Sequence, residues 1–347
     1  MKKILLFIFV VVAGTSNAQQ SYYSDVDIIL TGQALYNELQ QKINISNNTF
    51  NYGDVRDTMK ITDKDPANSN NVLLIYGHND ANCTTQRSRD KDDFGGVSCE
   101  YNREHTFARS NSNPSMGSVN NSTTGIGADP HNLRPSDQQM NNNKGSKKFA
   151  AGSGNAGNVG SGNWYPGDEW KGDVARMMMY MYTRYGNRCL PSLNAEGTPQ
   201  SGNDMLQIYL QWNVEDPVDT AFEDQRNNYL ESAYGNRNPF IDNPYLATII
   251  WGGEPAEDRW NIFSVTENND VSFTFFPNPA NQEITINTYQ TTADTRIVIY
   301  DLQGRKTAKI KNVNNNPTID VSSWNTGIYL IKMNNNGTSL TQKLVIK

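Results

Sequence analysis

Long apolar runs are missing from this 347-residue chain except at its start. Met1-Lys2-Lys3, an apolar run from Ile4 to Ala13 and the small-residue exit Ser16-Asn17-Ala18 have the order of a secretory signal peptide, too short to cross a bilayer as a helix. Residues 1–18 are therefore expected to be an export signal, and no later stretch is expected to span a membrane. Charge is sparse as well: 19% of residues are Asp, Glu, Lys or Arg, below the roughly 25% usual in globular domains. Asn, Ser, Thr and Gly fill the gap, as suits a solvated extracellular surface.

A basic excess is also lacking. The net charge is −6, and residues 1–271 hold 22 Lys and Arg against 32 Asp and Glu, whereas residues 272–347 hold 8 against 4. Binding of nucleic acid by a generally basic domain is excluded. A polyanion would have to be held by a local patch together with a metal ion. Cysteine is scarce too, with Cys83, Cys99 and Cys189 the whole set. In an oxidising compartment one option closes Cys83 to Cys99, worth about 3 kcal/mol by loop entropy, and leaves Cys189 odd. Spacing does not decide the pairing.

What the chain does have is concentrated between Tyr101 and Lys148. Two of its three histidines, His105 and His131, lie there, beside Glu104, the run Asn141-Asn142-Asn143 and a local group of cations. Arg103, Arg109, Arg134, Lys144, Lys147 and Lys148 stand there against Glu104, Asp129 and Asp137. A base for water, hard oxygen ligands and cations for a polyanion together suit metal-assisted attack on a phosphodiester. Glu104 and His105 are neighbours, and neighbours on a strand point to opposite faces. If both serve one site, the strand must end or bulge there. The bland readings are a salt-bridging surface pair for Glu104-His105, a helix-end loop for the asparagines, and structural places for His131 and His78.

Along the chain, Thr31 is read as the cap of a helix carrying Leu35, Leu39 and Ile43. Val72 to Tyr76 reads as a strand, and another through Val97 to Tyr101 leads into Glu104-His105. Residues 110–128 form a long polar loop. A short return strand follows at Leu133 and Pro135, then a helix capped by Ser136 with Gln139. Asp173 to Tyr185 is a helix whose methionines are core packing. Met205 to Trp212 and Thr220 to Tyr234 read as further helices, and Pro244 to Trp251 closes the domain. Residues 264–271 read as a linker. Beyond them, Glu283 to Asn287, Arg296 to Tyr300, Thr318 to Val321, Gly327 to Met333 and Leu340 to Ile346 have the spacing of a small β-sandwich.

Tyr101-Asn102-Arg103-Glu104-His105-Thr106-Phe107, Asp129-Pro130-His131-Asn132-Leu133-Arg134-Pro135-Ser136, Asn141, Lys171-Gly172-Asp173-Val174-Ala175-Arg176 and Gly235-Asn236-Arg237-Asn238-Pro239-Phe240-Ile241-Asp242 together resemble the endonuclease I family. These are secreted or periplasmic nucleases of the ββα-metal (His-Me finger) class. The resemblance implies an α+β fold, with a ββα-metal finger embedded in a mainly helical nuclease domain over residues 19–263. It assigns His105 as the base that activates water, and Glu104 and Asn141 as ligands of one Mg²⁺ (Ca²⁺ or Mn²⁺ as alternatives). Arg109 is the cation expected to face the transition state, and Asn132 is placed beside the histidine in the catalytic set. Arg103, Arg134, Lys144 and Lys147 are expected to hold nucleic acid, Lys144 standing where an Arg is common.

Phe276-Pro277-Asn278-Pro279-Ala280, Ile328-Tyr329-Leu330-Ile331-Lys332 and the ending Lys343-Leu344-Val345-Ile346-Lys347 resemble the sorting domain of type IX secretion cargo. That makes residues 272–347 a β-sandwich addressed to the export machinery. The expected activity is a secreted, monomeric, sequence-nonspecific endonuclease that cuts DNA and also RNA to 5′-phosphate and 3′-hydroxyl ends. The alternative is a noncatalytic extracellular protein that binds nucleic acid or another polyanion.

Overall fold

The computed structural model describes residues 21–262, 272–289, 295–311, 313, 316–335 and 338–347. The expected export signal at 1–18 and linker at 264–271 lie outside these residues. Two compact units meet in sequence between Ile262 and Phe263.

In the first unit, α1 (Gly32–Asn44) buries Leu35, Leu39 and Ile43 at the anticipated four-residue spacing. Thr31 takes the extended cap position, but its side chain makes no capping bond. Helix α2 (Tyr52–Thr62) opens with a full capping box between Asn51 and Asp54, which satisfies orphan amides at its first turn. The loop chain folds onto that same turn, where Tyr52 N donates to Thr123 O and Gly53 N to Asn121 O. Strands β1 (Lys64–Asp65), β2 (Asn68–Leu73) and β3 (Ser88–Asp90) form a small sheet in that order.

The strand expected at Val72–Tyr76 is corrected here. Pairing begins earlier and stops at Leu73, and Tyr76 adopts a positive φ of 74°. A turn at Tyr76 ends the extended run and carries a buried ring toward Glu104. The strand expected from Val97 is likewise replaced by a turn. Cys99 has φ of 64° and is joined to Cys83, so extended structure starts only at Tyr101.

Strand β4 (Tyr101–His105) pairs antiparallel with β5 (Leu133–Asp137), from Tyr101 opposite Asp137 to His105 opposite Leu133. Helix α3 (Gln138–Lys144) follows at once. Strand, long loop, strand, helix is therefore the observed order. The cap of α3 is Asp137, one residue later than read from the sequence, accepting from the amides of Gln139 and Met140. After a two-stranded ribbon of β6 (Gly157–Val159) and β7 (Asn163–Tyr165) comes α4 (Lys171–Tyr185). Its four methionines are all buried, as core rather than cofactor side chains. Gly186, at φ 54°, ends it in a conformation that side chains with a Cβ avoid.

Helix α5 (Gln207–Glu215) packs on α4, α7 (Tyr245–Trp251) shares the same core, and α6 (Glu223–Tyr234) packs on α2. The expected cap at Thr220 is not used. Phe222 occupies the cap position, and Glu223 turns inward to Arg176 with contacts of 2.8 and 2.6 Å. That pair belongs to a buried ionic cluster. Arg134 bridges Asp63 at 2.6 Å and Asp173 at 2.8 Å, and Arg226 reaches Asp63 at 2.5 Å. Buried charges persist only when paired in this way.

Among the described residues the second unit holds the five expected strands and two more. A four-stranded sheet runs β11 (Lys306–Lys311), β10 (Arg296–Asp301), β13 (Gly327–Asn335), β14 (Thr338–Ile346). A three-stranded one runs β12 (Thr318–Asp320), β9 (Glu283–Tyr289), β8 (Ser272–Phe276). One apolar core takes side chains from both sheets, among them Ile284, Ile286, Ile297, Ile331 and Leu344.

Candidate active site

Strand β4 positions the site with both of its faces. Asn102 and Glu104 alternate on one face and meet α3. Asn141 Nδ2 donates to Asn102 Oδ1 at 2.6 Å, and Lys144 Nζ lies 3.2 Å from Glu104 Oε1. Arg103 and His105 alternate on the other face and meet the start of α2. The Arg103 guanidinium sits 3.5 Å from the centre of the Tyr52 ring, which stacks on His105 at 5.5 Å and 20°. Arg103 also donates to the carbonyl of Tyr52.

One cavity of about 430 Å³ nevertheless touches Asn102, Arg103, Glu104, His105 and Asn141. It can do so because β4 ends at His105 and has a partner strand on one edge only, among the described residues. The opposite-face conflict between Glu104 and His105 is thus resolved by a strand end. Arg109 and Gly117 line the same cavity, and the Arg109 guanidinium donates to Gly117 O at 2.7 Å.

His105 is buried, with Nε2 2.9 Å from Gly127 O. A carbonyl only accepts, so the neutral ring carries its proton on Nε2 and leaves the Nδ1 lone pair free. No described residue bonds that nitrogen. Burial, helped by the cations Arg109, Lys144 and Arg103, pushes the imidazole down to about 3, so it is neutral at ordinary pH. Glu104 is buried too, and burial raises its carboxyl above the usual range while Lys144 and Tyr76 pull the other way. Oε1 receives both Tyr76 Oη, at 3.1 Å, and Lys144 Nζ. Oε2 is left over.

The hydrogen bond to Asn102 likewise commits the side-chain nitrogen of Asn141, and no described residue bonds its Oδ1. Among the described residues no group of three or more His, Cys, Asp or Glu is placed to hold a metal ion. A cation held here would rely on one carboxylate, one amide oxygen and water. Such a hard, sparse oxygen set fits Mg²⁺.

The remaining expected residues fall elsewhere. Asn132 is fully buried behind the site, accepting from Phe107 N at 2.7 Å and donating to Phe107 O at 3.1 Å. It fixes the chain just after His105 and does not line the cavity. Arg134 and Lys144 were expected to hold nucleic acid, and both expectations are corrected. Arg134 is 1% exposed between Asp63 and Asp173, and Lys144 is 0% exposed against Glu104. Lys147 is half-buried outside the cavity lining, with its ammonium on Asn143 O.

Sequence reasoning missed Tyr52, Tyr76, Asn102 and Gly127. Asn102 could have been found, since it precedes Glu104 by two on a strand. The others come from distant segments and carry no local signal. His131 and His78 hold structural places: His131 bonds Asn236 Oδ1 at 2.9 Å in the core, and His78 Nδ1 lies 3.3 Å from Tyr76 O.

Comparison with known proteins matches these features. A model of the Endonuclease I family fits residues 31–245, and one of the secretion system C-terminal sorting domain fits residues 274–347. The extracellular ribonuclease of Bacillus amyloliquefaciens is 38% identical over 244 residues, which cover 67% of this chain and 78% of that protein. The extracellular ribonuclease of Bacillus subtilis (strain 168) is 38% identical over 233 residues, or 64% and 75% of the two chains. No helix among the described residues is long and apolar enough to cross a membrane. The chain belongs to the endonuclease I family and is a secreted or cell-surface nuclease bearing a type IX secretion sorting domain at its C-terminal end.

Proposed function

We propose that the cavity hydrolyses phosphodiester bonds of both RNA and DNA, without regard to sequence, using a water that His105 deprotonates. The observation that carries this reading is the asymmetry of His105: Nε2 is committed to Gly127 O, and Nδ1 is open on a ring that lines the cavity. A neutral imidazole held in one tautomer is a competent general base. The water gives its proton to Nδ1, its oxygen attacks phosphorus, and the 3′ oxygen leaves and takes a proton from solvent. The ends are then 5′-phosphate and 3′-hydroxyl.

Arg109, at the cavity wall, meets the charge that builds on the phosphorane oxygens. Glu104 Oε2 and Asn141 Oδ1 would hold Mg²⁺, with Ca²⁺ or Mn²⁺ as substitutes. Such an ion, when bound, supplies Lewis-acid stabilisation of the phosphate. On this reading β4, β5 and α3 constitute a ββα-metal finger. Attack by water makes no use of a ribose 2′-hydroxyl, so both sugars serve, and the ribonuclease relatives support RNA among the substrates. No described element offers the row of base-edge contacts that reading a sequence requires.

Digestion of supercoiled plasmid and of end-labelled RNA, with and without EDTA, tests the proposal. Both substrates should be cut, EDTA should stop the reaction and added Mg²⁺ restore it. His105→Ala should abolish cutting while nucleic-acid retention persists. RNA cleavage to 2′,3′-cyclic phosphates with plasmid left intact would replace this mechanism by one that uses the 2′-hydroxyl.

A further inference from the structure

The four-stranded sheet of the second unit has two unlike faces. Its inner side chains, including Ile297, Ile299, Ile331, Met333 and Leu344, belong to the sandwich core. Strand pairing identifies the other face, because residues opposite one another in a ladder share a side. Lys306, Tyr300, Leu330 and Lys343 make one row across the sheet. Lys309, Val298, Lys332 and Thr341 make the next. Lys311, Arg296 and Asn334 make a third, and Ile328 beside Val345 completes the face.

Six cations thus share one sheet face with an aliphatic centre, in which Ile328 and Leu330 are each 38% exposed. No described Asp or Glu lies on it. Among the described residues the ion pair of this unit joins Arg305 to Asp301, away from the six.

Lysines on an edge strand discourage unwanted strand pairing, which accounts for Lys306, Lys309 and Lys311 on β11. It does not account for Arg296 and Lys332 on the two central strands. Arg296 even stands opposite Lys311, a like-charge pairing that costs stability. Such repulsion is relieved when an anionic surface covers the face.

Three kinds of partner carry negative charge, and the side chains separate them. Protein interfaces are depleted in lysine toward their cores, whereas here lysine stands on three of the four strands, one of them central, and arginine on the fourth. Nucleic acid is gripped by arginine forks and aromatic platforms, whereas here one arginine and one tyrosine stand among lysines and aliphatics. An anionic lipid surface rewards lysine by about five-fold in partitioning per residue. Long lysine stems also lie flat beside an aliphatic centre with the ammonium at headgroup level. We propose that this face docks the chain on an anionic lipid bilayer surface met along its export route.

Sedimentation of the full chain, in EDTA, with vesicles tests the proposal. Vesicles of phosphatidylcholine and phosphatidylglycerol in equal parts should carry the protein down, and vesicles of phosphatidylcholine alone should not. Salt near 1 M should release it, the screening length then being about 3 Å. Lys309→Gln/Lys332→Gln/Lys343→Gln should lower partitioning on the order of a hundred-fold, with an unchanged melting temperature. Lys64→Glu/Lys91→Glu, on the first unit, should leave it unaltered. A charge-reversed set at Lys309, Lys332 and Lys343 gives a second reading should the neutral set melt early. The proposal is overturned if anionic vesicles fail to bind the protein in low salt, or if neutral vesicles bind it equally. It is also overturned if the triple variants bind like the parent, or if a DNA oligonucleotide is held and released by these same substitutions while vesicles are ignored.

Discussion

Lys144 Nζ lies 3.2 Å from Oε1 of Glu104, with both side chains buried. Lys144 shares its short helix with Asn141. One element therefore supplies both an amide oxygen to the cavity and the cation that pins the neighbouring carboxylate.

Breaking that pair from one side should be costly. Lys144→Met strands a buried carboxylate with Tyr76 as its remaining donor, and a loss of about 3–5 kcal/mol is expected. Glu104→Gln in the same background should recover part of it, because an amide needs no counter-ion there. Urea unfolding of the two single variants and the double variant gives the coupling energy. Additive losses would show that the pair contributes little.

Tyr52 stacks on the His105 ring at 5.5 Å while the Arg103 guanidinium lies over Tyr52 itself. Tyr52→Ala should lower kcat on the order of ten- to a hundred-fold, as expected when a reacting group loses its alignment. Its effect on KM should be smaller. Tyr52→Phe keeps the ring and should restore most of the rate. A Phe variant as poor as the Ala one would move the role from the ring to the hydroxyl.

The strand–loop–strand–helix order is legible in the sequence because residues 110–128 are mostly Asn, Ser, Gly and Thr with few apolar side chains and no period among them, while Leu133 and Met140 mark the elements that follow. The buried helix is legible for the same reason: Val174, Met177, Met178 and Met181 repeat with the helical period. Arg134 and Lys144 mislead because charged side chains are almost always exposed. Here they are buried because Asp63 and Asp173 in one case, and Glu104 in the other, arrive from segments tens of residues away. Spacing along a chain holds no record of such meetings. Tyr52 is hidden in the same way, since its helix start reaches His105 only through the folded loop. Asn102 was open to discovery, because alternation alone puts it beside Glu104 and toward α3.

The cysteines divide into a staple and an inert thiol. Cys83 and Cys99 are bonded at a sequence separation of 16, a loop whose closure is worth about 3 kcal/mol on the entropic account. Reduction should lower the unfolding free energy by about that amount, read by urea denaturation with and without reductant. Cys189 is buried, and burial pushes its thiol up to about 12. Iodoacetamide should therefore leave it untouched in the native protein and label it once urea unfolds the chain. Fast labelling under native conditions would require that region to open without global unfolding.

Acid should destabilise the protein partly through His131. This ring packs 4.4 Å from Tyr180, bonds Asn236, and is pushed down to about 3 by burial, with Arg226 and Arg184 adding to the effect against Asp129. The unfolded chain takes up a proton near pH 6.5, and the folded chain resists until about 3. Stability from this group is thus complete above about 6.5 and falls as pH drops toward 3, by up to about 1.4 kcal/mol per pH unit. Burial raises Glu223 to about 7 and Asp216 to about 6, and these carboxyls act in the opposite direction, gaining protons earlier when folded. The total slope therefore mixes signs, and a difference is the cleaner measure. Subtracting the pH profile of unfolding free energy for His131→Gln from that of the parent cancels the carboxyls. The remainder should decline between about pH 6 and pH 4; a flat remainder would mean that the buried ring accepts its proton as readily folded as unfolded.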